Sequence, residues 1–221
     1  MSDLQCPATL LIARHGDAGY PVHGMVSDNG GWLTDLGRVQ VGELAETLLS
    51  RRIAAVYSSR MKRAVESADL ATARLGVEQF VVDGLQELPV GGLAGISDRD
   101  PRTHQVYDAW LRGDLDARCP GAEDGHAVVR RFAKALEEVA DTHRGETVLV
   151  FTHSGVMSLV IPRLAVNVPN DPAAQRFLPH CAPVEVEVDA DGWRVIAWPP
   201  PSPEVAQNRR ESTSSMPFSA S

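Results

Sequence analysis

Ala8-Thr9-Leu10-Leu11-Ile12-Ala13-Arg14-His15-Gly16 is the stretch on which the reading of this chain turns. A short apolar run, Ala8 to Ala13, is followed with no spacer by a guanidinium, an imidazole and a glycine. Such a run reads as a buried strand that ends in a functional loop. The pattern returns at Thr147-Val148-Leu149-Val150-Phe151-Thr152-His153-Ser154-Gly155, where Thr147 to Phe151 is the clearest strand of the chain. A third run, Ile53 to Tyr57, leads into Ser58-Ser59-Arg60-Met61-Lys62-Arg63-Ala64.

Helical patterns separate these runs. Thr34 reads as an N-cap, and Leu36, Val39, Val41, Leu44, Ala45, Leu48 and Leu49 follow it at helical spacing. Ser59 is expected to cap a helix carrying Ala64, Ala68, Ala71 and Leu75, which Gly76 ends. Phe80-Val81-Val82 reads as a further short strand. Gly125 to Thr142 and Ser154 to Leu164 read as helices, and Val184–Val188 with Trp193–Trp198 as a hairpin around Asp191-Gly192. Strands alternating with helices imply a three-layer α/β/α sandwich with a mostly parallel central sheet. Residues 84–125, rich in Gly, Asp and Pro, read as a small inserted cap region with one helix around His104 to Leu111. The Pro- and Ser-rich tail, 199–221, reads as disordered and outside the fold.

The 221 residues suit one α/β domain, and 43% hydrophobic with 23% charged residues is ordinary for a globular protein. A net charge of −8 argues against nucleic acid as a partner. A pocket of Arg and His can nevertheless be locally positive inside an acidic protein. Cys6, Cys119 and Cys181 are widely spaced and form no CxxC pair, so a reduced, cytoplasmic setting is the simplest expectation. The N-terminus shows no signal-peptide pattern, and no apolar run approaches the roughly 18 residues of a membrane span.

In open α/β sheets ligands bind outside the carboxyl ends of the strands. His15 and His153 stand at two such ends and can face one crevice. Arg14 and the arginines after Ser59 add planar donor forks suited to phosphate oxygens, and the helix N-terminus there favours an anion. A neutral imidazole can attack phosphorus. The leaving oxygen needs a proton donor, and Glu87, in Leu85-Gln86-Glu87-Leu88-Pro89-Val90-Gly91-Gly92, lies among apolar residues and glycines where a carboxyl poor in solvent could hold a proton. Asp83, Asp98 and Glu123 are the carboxylates near it in sequence. Taken alone, a strand-end histidine is more often structural; Arg14 beside His15 and the parallel motif at His153 reverse that weighting. His23, His104, His126, His143 and His180 show no metal-ligand spacing and read as surface or supporting residues. Trp110 reads as an anchor of the cap.

Together these motifs resemble the histidine phosphatase superfamily, also called the phosphoglycerate-mutase-like family. The resemblance runs from about residue 8 to 198 and rests on Arg14-His15-Gly16, Leu33-Thr34-Asp35-Leu36-Gly37, Ser58-Ser59 with Arg63-Ala64, Leu85-Gln86-Glu87, and Thr152-His153-Ser154-Gly155. Gly121-Ala122-Glu123-Asp124 is similar to the family's Gly-Gly-Glu-Ser, with substitutions. The resemblance implies one such domain over 1–198. It implies that His15 is the nucleophile that becomes phosphohistidine, that Arg14, Arg63 and His153 bind the phosphoryl oxygens, and that Glu87 is the general acid and base. Family register selects Arg63 over Arg60 and Lys62. Ser154 and Tyr20 are expected at the substrate. The expected partner is a small phosphorylated molecule, with no metal or cofactor, no nucleic acid and no membrane; monomer and homodimer are both open.

The implied activity is that of a histidine acid-type phosphatase acting on a phosphomonoester. The alternatives are a cofactor-dependent phosphoglycerate mutase and a regulatory protein phosphohistidine phosphatase. In the mutases the nucleophile loop continues with Trp-Asn, whereas Tyr20-Pro21 stands here, and proline donates no hydrogen bond. The cap is also poor in the Lys and Arg that a second phosphate would want, offering mainly Arg99, Arg102, Arg112 and Arg118. A cap over 84–125 should also obstruct a protein substrate.

Overall fold

The computed structural model describes residues 6–28, 30–168 and 178–200. The tail expected from 199 lies, from residue 201 on, outside the described residues. Six strands form one sheet: β1 (Ala8–Arg14), β4 (Ile53–Ser58), β5 (Glu78–Val81), β6 (Thr147–Thr152), β7 (Val184–Asp189) and β8 (Gly192–Ala197), in the order β5-β4-β6-β1-β7-β8. The first four in that order run parallel; β7 pairs antiparallel with β1, and β8 antiparallel with β7. Two-residue strands β2 (Ala18–Gly19) and β3 (Trp32–Leu33) make a separate antiparallel ribbon.

Alternation along β1 sends Leu10 and Ile12 to one face of the sheet and Leu11 and Ala13 to the other. Helices α4 (Gly125–Thr142) and α5 (Ser154–Leu164) cover the first face through Val128, Phe132, Leu136, Val156 and Leu159. Helices α1 (Asp35–Leu48) and α2 (Lys62–Leu75) cover the second through Val41, Leu44, Leu48, Ala64, Ala68 and Ala71. The sandwich and its mostly parallel sheet are as the alternation of elements predicts.

Several local expectations change. Thr34 does cap α1, accepting the Gly37 N–H at 3.1 Å, but Leu36, Val39 and Leu49 are exposed because they fall off the stripe made by Val41, Leu44, Ala45 and Leu48. Ser59 is not the N-cap of α2; Met61 is. Gly76 ends α2 with φ 71°, the left-handed conformation that glycine adopts without strain. β5 spans Glu78–Val81, shifted toward the N-terminus of the expected run. Between β5 and α4 the chain forms a 3₁₀ turn at Gly91–Leu93 and then α3 (Pro101–Leu111). This helix begins at Pro101 rather than around His104, since Asp100 caps it through the Arg102 N–H and Pro101 occupies its first turn. Trp110 is buried and donates to the Ala117 carbonyl at 2.6 Å, so it anchors the segment. Among the described residues no helix is long and apolar enough to cross a membrane.

Candidate active site

Strand register brings the two histidine motifs together. In the β1–β6 pair Ala13 is opposite Phe151 and Arg14 opposite Thr152, so His15 and His153 follow side by side at adjacent carboxyl ends. Their ring centroids are 5.1 Å apart. β4 pairs with β6 on the other side, Ser58 opposite Phe151, which places Ser59 and Arg63 at the same edge.

His15 is buried and doubly held. Its Nδ1 lies 2.7 Å from the Gly16 carbonyl oxygen. A carbonyl only accepts, so Nδ1 carries the proton and Nε2 presents a lone pair. Arg63 Nε donates to that Nε2 at 2.9 Å. Burial, then the charges of Arg63 and Arg14, hold the His15 imidazole well below its ordinary 6.5, so it is neutral at neutral pH. His153 is likewise buried and neutral, held well below 6.5 by burial first and then by Arg63, His15 and Arg14. Its Nε2 meets Ser59 Oγ at 2.7 Å.

Ser59, expected to cap α2, therefore serves His153, while also accepting the Met61 N–H at 3.3 Å. Arg14 donates through Nη1 to the Leu178 carbonyl at 3.2 Å. Arg14 Nε and His153 Nδ1 are buried without a hydrogen-bond partner among the described residues. Arg63 turns into the site, with its guanidinium 5.6 Å from the Tyr20 ring centroid. Arg60 and Lys62 instead pair outward with Asp83 and Glu66.

Glu87 reaches the same place from the segment after β5. Its surroundings are not the apolar ones expected from sequence. Backbone N–H groups of Leu88, Gly155 and Val156 donate to its carboxyl at 3.0, 3.1 and 2.8 Å, the last two from the first turn of α5. Asp83 is exposed beside Arg60, and Glu123 pairs with Arg131, so neither occupies this position.

Arg14, His15, Tyr20, Arg63 and Glu87 share the wall of one cavity of about 800 Å³. Val22, Met25, Val26, Leu88 and Val90 give it an apolar flank, and His23, Ser97, Asp98 and Arg99 stand in its wall as well. His153 stands behind His15, and Ser154 opens α5 outside that wall. Residues 24–26 pair with 95–98 beside the cavity, and Asp28 accepts the Val90 and Gly91 N–H groups.

The chain matches the model of the histidine phosphatase superfamily, branch 1, over residues 10–199. It is a member of the histidine phosphatase superfamily. The metal-independent phosphoserine phosphatase of Arabidopsis thaliana is 31% identical over 167 residues, covering 70% of this chain and 68% of that protein. The phosphoglycerate mutase-like protein 4 of the same plant is 28% identical over 197 residues, covering 86% of this chain and 84% of that protein. The fold is shared with a mycobacterial glucosyl-3-phosphoglycerate phosphatase, with a TM-score of 0.72 at 23% identity over 87% of this chain and 98% of that one.

One side chain in this superfamily member was undervalued in sequence. His180 is half-buried, and its ring centroid lies 5.4 Å from that of His15. Its Nδ1 donates to the His15 carbonyl at 2.7 Å, and its Nε2 lies 3.7 Å from Asp17 Oδ1. Burial, then Arg14, lowers its pKa. Isolated in a loop before β7, it has no motif around it. What places it is β7 running antiparallel to β1, which returns the chain to the carboxyl end of β1.

Proposed function

We propose that the protein is a phosphatase that hydrolyses a small phosphomonoester through a phosphohistidine on His15 Nε2. The observation that carries this reading is the pairing at His15. Nδ1 is bound to a carbonyl, Nε2 is stripped of its proton, and two guanidinium groups stand close by.

A phosphoryl group in the cavity would take the Arg63 N–H from the nitrogen to its own oxygens, with Arg14 and His153 completing the cradle. Nε2 then bonds to phosphorus as the bond from phosphorus to the leaving oxygen breaks, and Glu87 gives that oxygen a proton. The imidazole becomes positively charged on phosphorylation, and the Gly16 carbonyl at Nδ1 stabilises that charge. Water replaces the alcohol, gives a proton to Glu87 and attacks phosphorus, and neutral His15 is regenerated. No step calls for a metal.

Hydrolysis is favoured over phosphoryl return to a second acceptor by the wall of the cavity. Among the described residues, Arg99 is the one further Arg or Lys in that wall beyond Arg14 and Arg63, and it has Asp98 beside it. The apolar flank supports a substrate whose alcohol is larger and less polar than glycerate or serine, since phosphates of those would leave much of about 800 Å³ unfilled. The experiment is phosphate release from aryl phosphates, phosphoserine and 3-phosphoglycerate, with His15→Ala as control. Release, fastest with aryl phosphates and abolished in the variant, is expected. Isomerisation of 3-phosphoglycerate with bisphosphoglycerate, without phosphate release, would overturn the hydrolase reading.

A further inference from the structure

Glu87 sits on a segment with no regular secondary structure, yet every carbonyl from Gly84 to Glu87 is engaged. The Arg131 guanidinium, on α4, donates to the Gly84 carbonyl at 2.7 Å, to Gln86 at 2.8 Å and to Glu87 at 3.0 Å. The remaining carbonyl, Leu85, accepts the Thr152 hydroxyl at 2.6 Å, and Leu85 itself is fully buried. Thr152 immediately precedes His153. Glu123 accepts from Arg131 Nε at 2.9 Å and completes the orientation of the guanidinium. The segment also presses on the helix that carries Arg131. Gly84 has φ 102°, and a Cβ there would stand 2.6 Å from the Arg131 carbonyl oxygen.

We infer that Arg131 is a positioning residue for the proton donor, with Glu123 fixing its guanidinium. This rests on Glu87 being the general acid. Arg131 lies outside the wall of the cavity that holds His15 and reaches Glu87 through three backbone carbonyls, while its charge also bears weakly on His153. A planar fork can hold three acceptors at once, which a lysine ammonium on a flexible stem cannot match in geometry. A proton donor needs hydrogen-bond reach of the leaving oxygen, and misplacement of about 1 Å can cost on the order of 10²-fold in rate.

The test uses leaving-group dependence, because a proton donor matters most when the leaving phenol is basic. kcat/KM is measured for a series of aryl phosphates of rising phenol basicity, with wild type, Glu87→Gln, Arg131→Met, Arg131→Lys, Glu123→Gln and the Glu87→Gln/Arg131→Met pair. Wild type should show a shallow dependence and Glu87→Gln a steep one. Arg131→Met should approach the steep dependence, losing about 10²-fold on the most basic phenol and far less on p-nitrophenyl phosphate. The double variant should be no worse than Glu87→Gln alone. Arg131→Lys and Glu123→Gln should fall between wild type and Arg131→Met, and they keep the test open if Arg131→Met does not fold. A uniform loss across the series in the folded Arg131 and Glu123 variants, or no loss, would overturn the positioning role while leaving Glu87 intact. A shallow dependence in Glu87→Gln would instead remove the general-acid reading, and the positioning role with it.

Discussion

A side chain on residue 16 would begin 2.5 Å from the carbonyl oxygen of Gly37. The approach is mutual, since a Cβ on Gly37 would stand 2.1 Å from the Asp17 carbonyl oxygen. The start of α1 is thereby pressed against the loop that follows His15. Thr34 fastens the two, donating to Asp17 Oδ2 at 2.6 Å while capping α1. The glycines of Arg14-His15-Gly16 and of Leu33-Thr34-Asp35-Leu36-Gly37 are two sides of one backbone contact.

Gly37→Ala therefore strikes backbone rather than a movable side chain. We expect a loss of about 1–3 kcal/mol in urea denaturation, as for an overpacked core, together with reduced turnover. A variant of wild-type stability and activity would show that the contact is looser than described.

Gly155→Ala should lower turnover without the loss of stability. A Cβ at 155 would lie 2.7 Å from Glu87 Oε1 and 2.9 Å from Leu88 Cδ1, both ends of flexible side chains. Alanine is also the better helix residue by roughly 0.5–1 kcal/mol. The fold should hold its stability while turnover falls, because Glu87 must move. Thermal unfolding and kcat with one aryl phosphate measure both. Unchanged kcat would contradict the placement of Glu87 at α5.

The elements that carry the site were legible in sequence because their signals are local. An apolar run ending in Arg14-His15 or in Thr152-His153 announces both strand and loop, and Thr34 and Gly76 announce helix ends. Roles set by distant pairing were not legible. Ser59 looks like a cap until β4 and β6 align it with His153, and His180 looks like a loop residue until β7 pairs with β1. The surroundings of Glu87 are not legible either, since nothing in its own segment reveals that the N–H groups of α5 point at it.

The neutral histidines make a prediction about acid. His15 and His153 are both held well below 6.5 when folded. As pH falls through 6.5 the unfolded chain takes up protons that the folded chain does not. Stability then decreases with acidification, by up to about 1.4 kcal/mol per pH unit for each histidine, until the folded values are reached. Urea midpoints at pH 7.5 and 5.5 test this, with His153→Gln losing less than wild type over the interval. Equal losses would mean that His153 is not held neutral.

Ser59→Ala leaves His153 Nε2 buried without its hydroxyl partner. A cost of about 1–3 kcal/mol is expected. Because His153 is part of the proposed cradle, weaker inhibition by vanadate should accompany it. Undiminished inhibition would separate Ser59 from oxyanion binding.

In the proposed mechanism the phosphoryl group passes through His15. Rapid acid-free quenching of the enzyme during turnover of a ³²P-labelled aryl phosphate, followed by peptide mapping, tests it most directly. An alkali-stable, acid-labile label is expected on the peptide containing Arg14-His15-Gly16, absent in His15→Ala. Turnover with no such label, or a label that persists in His15→Ala, would contradict it.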